Sequence, residues 1–184
     1  MHRTLLVRQV LPALGLFLGL VGVGLGLDYA LHRAGLAWVG RYLGPVGTLL
    51  LLLSLLYSLR KRKLIRQGSP RALLELHETL GWAGALCLLL HSGIHFHAVL
   101  PWLALGAMLI VVASGLTGAV LLREAVADLA ARDGGAPADP DTRLLDAATV
   151  DLMRRWRVVH MPLNAAFAAL ALVHVVTILA LGEP

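Results

Sequence analysis

The apolar positions of this chain gather into long stretches, and the charged ones are confined between them. Residues 9–27 and 43–59 contain no Lys, Arg, Asp or Glu, nothing between Glu78 and Arg123 is charged, and nothing between Arg157 and Glu183 is. About 20 predominantly apolar residues in a helix cross the hydrocarbon core of a bilayer. The first two stretches therefore hold one span each, the third two, and the last one. The pattern predicts five transmembrane helices at approximately 9–27, 43–60, 74–98, 102–122 and 158–181. The expected fold is all-α, a polytopic helical bundle forming a single membrane domain over 1–184.

Local signals sharpen these elements. Ser69-Pro70 opens the third helix, with serine as N-cap and proline at the first helical position, where its missing N–H costs nothing. Gly44-Pro45 marks the start of the second span, which reads as a plain anchor. Gly15 and Gly19 form a GxxxG pair continued by Gly22, Gly24 and Gly26, a small-residue surface that lets helices approach closely. The fourth span carries Gly106, Ser114, Gly115, Thr117 and Gly118, suited to tight packing. ARDGGAPADPD, residues 131–141, is the one clear linker. Residues 123–157 form a connecting loop that ends in an amphipathic helix, with Leu144, Leu145, Ala148, Leu152 and Met153 near one side. That helix is expected to lie on the membrane surface or to dock a partner subunit.

Composition agrees with a membrane protein: 58% of residues are hydrophobic, 15% are charged and mean hydropathy is +0.78. A sequence pI near 10.1 would suggest nucleic acid in a soluble protein, but here the cations flank spans. Fourteen of the 16 Lys and Arg residues fall before the first span, after the second, or between the fourth and fifth; only Arg33 and Arg41 fall on the other side. Under the positive-inside rule this makes the amino terminus and the 123–157 loop cytoplasmic and the carboxyl terminus external. A cell inner (plasma) membrane location is expected, with membrane lipid as a partner and no nucleic acid. Cys87 is the single cysteine, so neither a disulfide framework nor a cysteine-ligated cluster is available.

The candidate chemistry is histidine. HETLGWAGALCLLLH places His77 and His91 14 positions apart on the third span, and HMPLNAAFAALALVH places His160 and His174 at the same spacing on the fifth. Fourteen residues at 100° each fall about 40° short of four turns and rise roughly 21 Å, so each pair shares one helix face at two depths. Spans three and five are separated by one intervening span and run parallel, so His77 pairs with His160 and His91 with His174. Ionisable groups inside a membrane are costly and mark function by default. Four imidazoles so arranged suit two haem b groups, each ligated by two histidines. With both axial positions filled, no open coordination site remains, and electron transfer is the natural chemistry. Gly84 and Phe167 lie seven residues from each histidine of their helices; the glycine could leave room for porphyrin, and the phenylalanine could fill the gap between haems, although ordinary packing explains Phe167 equally well. Arg71, Arg155 and Arg157 lie near the inner ligands and are candidates to pair with haem propionates.

HETLGWAGALCLLLH together with RRWRVVHMPLNAAFAALALVH resembles the di-haem b-type membrane cytochromes, which include the cytochrome b and ferric-reductase-like transmembrane families. Ligands on spans three and five, with RWRVVH leading into the fifth, are closer to the ferric-reductase-like arrangement. The resemblance covers residues 71 to 181. It departs in having five spans where that domain usually has six, and in lacking a flavin or nicotinamide domain. It therefore implies an electron-transfer subunit of an oxidoreductase complex, part of a hetero-oligomer whose redox partner carries iron–sulfur, flavin or c-type haem. Two other readings stand beside it. One is a quinone-reactive cytochrome b anchor, with quinone bound near His95/His97 or Glu75/Glu78. The other is a haem-free metal transporter or assembly factor using His91, His95 and His97.

Overall fold

The computed structural model describes residues 11–93, 99–132 and 140–181, and the side chains of all of these except 121–150, 152 and 153. Among the described residues the chain is helical and has no strands. The helices are α1 (Leu11–Arg33), α2 (Trp38–Ser54), α3 (Leu56–Lys61), α4 (Pro70–Ser92), α5 (Val99–Arg132) and α6 (Pro140–Leu181). Five segments are long and apolar enough to cross a membrane: Leu11–Arg33, Trp38–Lys61, Pro70–Ser92, Val99–Val120 and Arg154–Leu181. The protein is a multi-pass membrane helical bundle. Its lipid-facing character shows in exposed apolar side chains along every span, and Tyr29, Trp38 and Tyr42 are exposed near the α1–α2 turn, where interfacial aromatics sit.

Chain punctuation explains the boundaries. Gly35 turns α1 into α2 with φ of +71°, a left-handed conformation that suits glycine. Ser69 caps α4 in an extended conformation, its Oγ accepting the Ala72 N–H at 3.2 Å, with Pro70 opening the helix. Gly93, with φ of +50°, ends α4. A break at Leu55 separates α2 from α3. Two expected boundaries differ from the structure. The segment 123–157, read as a loop ending in an amphipathic helix, does hold a helix before the fifth span, but that helix is continuous with the span as one helix of 42 residues from Pro140, and α5 runs on to Arg132. At 1.5 Å per residue α6 is about 63 Å long, twice a hydrocarbon core. The amphipathic stretch thus extends the fifth span. The third span, expected to reach 98, ends as a helix at Ser92; 94–98 lie outside the described residues.

α4 is the hub. It packs most extensively on α2 and also on α1, α3 and α5, whereas α6 packs on α5. The core joins Leu20 of α1, Ala85 of α4 and Met108 of α5, with Trp82, Val112 and Phe167 among the side chains around it. Of the five α1 glycines, Gly24 meets α4, at Leu86 and Leu89; nothing lies within 4 Å of where a side chain would stand on Gly15, Gly19, Gly22 or Gly26.

The second span is more than an anchor. Gly40, Gly44 and Gly47 are all buried on α2, and their four-and-three spacing puts them on one face. That face lies against α4 at near backbone contact. A Cβ on Gly47 would stand 3.0 Å from the Gly84 carbonyl oxygen, and one on Gly84 would stand 3.1 Å from that of Gly47. Without a solvent-driven hydrophobic effect between helices in lipid, such close approach is a main source of association.

Candidate metal-ligand histidines

Each histidine is placed by the helix behind it. His77 sits on α4 with Nδ1 3.0 Å from the carbonyl oxygen of Ser54, the last residue of α2. The final carbonyls of a helix have no partner within it, so the break at Leu55 presents a ready acceptor. His91 does the same one α4 level away, with Nδ1 3.0 Å from the Gly40 carbonyl oxygen. Gly40 and Ser54 are 14 residues apart on α2, as His77 and His91 are on α4, and the two helices run antiparallel. The spacing of the histidines is thereby matched by a spacing of main-chain acceptors. The imidazole of His91 lies directly over Gly44, where a Cβ would come within 2.6 Å of Cε1.

A carbonyl oxygen can only accept. Nδ1 of His77 and of His91 must therefore carry the proton, which leaves the Nε2 lone pair of each neutral ring for a metal. This is the arrangement in which ligating histidines are oriented and made more basic by their outer partners.

On α6, His160 is cradled by α5. Its Nδ1 is 3.2 Å from Ser114 Oγ, its Cε1 is 3.7 Å from where a Gly115 side chain would begin, and the Trp156 indole stacks on it at 4.8 Å and 21°. Trp156 donates Nε1–H to the Ser114 carbonyl at 2.8 Å and lies against Gly118, where a side chain would collide with it. His174 is half-buried, and among the described residues no hydrogen bond reaches its ring.

The four rings form two sets. His160 lies within electrostatic range of His77, and His174 within that of His91. Yet α4 and α6 make few close backbone contacts; each leans mainly on other helices. The first set lies at the basic end of the bundle, near Tyr57, whose ring is 5.7 Å from that of His77 and 5.7 Å from Lys61 Nζ. The second lies toward the distal end, and His91 is exposed there.

The remaining candidates scatter. Arg71 is engaged with Glu75 in an exposed pair at 3.2 Å, and Arg155 with Asp151 at 2.7 Å. Arg157 lies one turn before His160 and within electrostatic range of Lys61. Gly84, expected to face porphyrin, faces α2 instead: its missing side chain makes room for Leu51 and the Gly47 carbonyl. Phe167 packs beside the Leu20, Ala85 and Met108 core. Among the described residues no three His, Cys, Asp or Glu side chains gather into a bare-metal site; His95 and His97 lie outside them.

Sequence reasoning missed Gly40, Gly44, Ser54, Ser114 and Trp156 as parts of the site. The signals available were G-x3-G-x2-G on the second span and S-G-x2-G on the fourth, the latter facing W-x3-H on the fifth. Comparison of the chain with protein families, with curated proteins and with solved structures finds no match.

Proposed function

We propose that this protein conducts electrons across a membrane through two haem b groups, one ligated by His77 and His160 and the other by His91 and His174. The observation that carries this reading is the matched anchoring of α4: two histidines 14 residues apart, each with Nδ1 on an α2 carbonyl placed at the same interval. Few close backbone approaches between α4 and α6 support it further, since His77 with His160, and His91 with His174, would need room between these helices to hold haem. Two histidines per site, with no cluster of three His, Cys, Asp or Glu among the described residues, would suit haem better than a bare metal ion.

When bound, haem iron with two histidine ligands supplies one-electron chemistry without an open coordination site. The chain's own contribution is positional. α2 fixes the α4 imidazoles as Nδ1–H tautomers, α5 orients His160, and the roughly 21 Å rise between ligand levels covers about two-thirds of a 30 Å hydrocarbon core. The basic end, with Arg60–Arg66 and Arg154–Arg157, is cytoplasmic under the positive-inside rule, in a cell inner membrane. The chain acts as the cytochrome b subunit of a redox complex, exchanging electrons with a partner that carries iron–sulfur, flavin or c-type haem.

The test is a reduced-minus-oxidised optical spectrum of the purified chain with pyridine haemochrome quantitation, on wild type, His91→Ala and His160→Ala. Two b haems per wild-type chain, with a different one lost in each variant, are expected. Stable, correctly inserted wild type without haem overturns the proposal and favours a metal-binding role.

A further inference from the structure

Resting on the two-haem reading, we infer that Ser114 is a positioning residue dedicated to His160, clamped by Trp156, and that it tunes the basic-end iron independently of the distal one. Serine and threonine hydroxyls inside helices commonly bond back to the carbonyl three or four residues earlier. Thr48, Ser54, Thr79, Thr117 and Thr177 do so, at 2.7 to 2.9 Å. The Ser114 hydroxyl instead reaches from α5 to Nδ1 of His160 on α6. The same residue's carbonyl takes the Trp156 Nε1–H, so the hydroxyl and the carbonyl of Ser114 both serve the one α6 turn that carries His160.

The surroundings leave the imidazole few other positions. Trp156 covers one ring face, Gly118 makes room for the indole, and Gly115 borders the ring edge. The stretch Ser114–Gly118 thus acts as a receptor for Trp156 and His160, which stand four residues apart on one face of α6. An imidazole whose Nδ1–H is held by an oxygen is a more basic ligand at Nε2, and a more basic axial ligand favours Fe(III) over Fe(II). Ser114 differs from the Ser54 and Gly40 anchors in kind. Those are main-chain carbonyls that no substitution removes, whereas the Ser114 hydroxyl can be deleted with the backbone left intact.

The experiment is an optical redox titration with haem quantitation on the purified chain in lipid nanodiscs, comparing wild type with Ser114→Ala, Ser114→Thr and Trp156→Phe. Ser114→Ala is expected to raise one of the two midpoint potentials, leave the other in place, and weaken haem retention at that one site about ten- to a hundred-fold. Ser114→Thr, which keeps the hydroxyl, restores both. Trp156→Phe keeps the stacked ring, loses the Nε1–H bond and shifts the same potential by less. Wild-type potentials and retention in Ser114→Ala, or both potentials moving together, overturn the inference while the two-haem reading stands. Wild type without haem overturns that reading, and the inference with it.

Discussion

The two helices that carry the histidines are held in opposite ways. α4 is gripped along its length: a glycine face of α2 lies against it, α1 and α5 complete its surroundings, and both of its imidazoles are pinned by α2 carbonyls. α6 leans on α5, and none of the most apolar 18-residue window of its Arg154–Leu181 span is buried. One of its histidines rests on a serine hydroxyl, and among the described residues the other has no hydrogen bond. On the two-haem reading, the difference teaches that ligand geometry is preformed on the α4 side, while on the α6 side it is set at one end and would be completed by the bound group at the other. A site built this way would hold haem between a well-braced helix and a less buried one.

The strongest way to break that asymmetry is to attack the bracing of α4. Gly47→Leu puts a side chain where Cys87 Cβ and the Gly84 carbonyl oxygen stand 3.0 Å from the first added carbon. The carbonyl belongs to the facing backbone and cannot yield, so α2 and α4 separate and both carbonyl anchors are lost together. Haem content is expected to fall from two per chain to near zero, and overpacking costs of about 1–3 kcal/mol lower the thermal midpoint. Gly44→Ala is a narrower blow. Its new methyl meets the His91 ring first, which can swing away, so the distal haem is expected to be lost and the basic-end haem kept. Haem quantitation distinguishes the two variants directly.

Removing haem sharpens the comparison from the other side. Amide hydrogen exchange in the haem-free chain is expected to accelerate about tenfold or more over the α6 residues 163–181, because their local stability rests on few buried contacts. Exchange over 78–91 of α4 changes much less, since α2, α1 and α5 remain packed around it. Equal acceleration in both helices would mean that the glycine seam does not hold α4 by itself.

How far this was legible beforehand follows the same line. Five spans, the Ser69-Pro70 helix start and the 14-residue histidine intervals are carried by side-chain identity and hydrophobic pattern, and they could be read directly. The anchors could not, because the acceptors for His77 and His91 are main-chain carbonyls, which every residue has. Only the antiparallel register of α2 and α4 selects Ser54 and Gly40 from the rest. Gly84 misled for a related reason. A glycine midway between two ligands is compatible with space for a cofactor or for a neighbouring helix, and the choice depends on Gly47, which lies far away in sequence. The amphipathic helix leading into the fifth span was legible from its apolar spacing, whereas the continuation of α5 to Arg132 was hidden by charge, since Arg, Asp and Glu after 122 mark the end of a span without marking the end of a helix.

The smallest expected effect separates two arginines that looked equivalent as propionate candidates. Arg71 is turned to solvent and paired with Glu75 on its own helix, an arrangement with little energetic consequence. Arg157, also exposed, lies one helical turn from His160 and within electrostatic range of Lys61. A cation near iron penalises Fe(III) more than Fe(II), since the oxidised form carries one more positive charge. Neutralising Arg157 as Gln should therefore lower the basic-end midpoint potential, by on the order of 1 kcal/mol or less for a partly hydrated charge at this range, and raising the ionic strength should shrink the shift. Arg71→Gln should leave both potentials in place. A basic-end potential unmoved by Arg157→Gln but lowered by Arg71→Gln would reverse the assignment and place the exposed α4 arginine, rather than the α6 one, next to the iron.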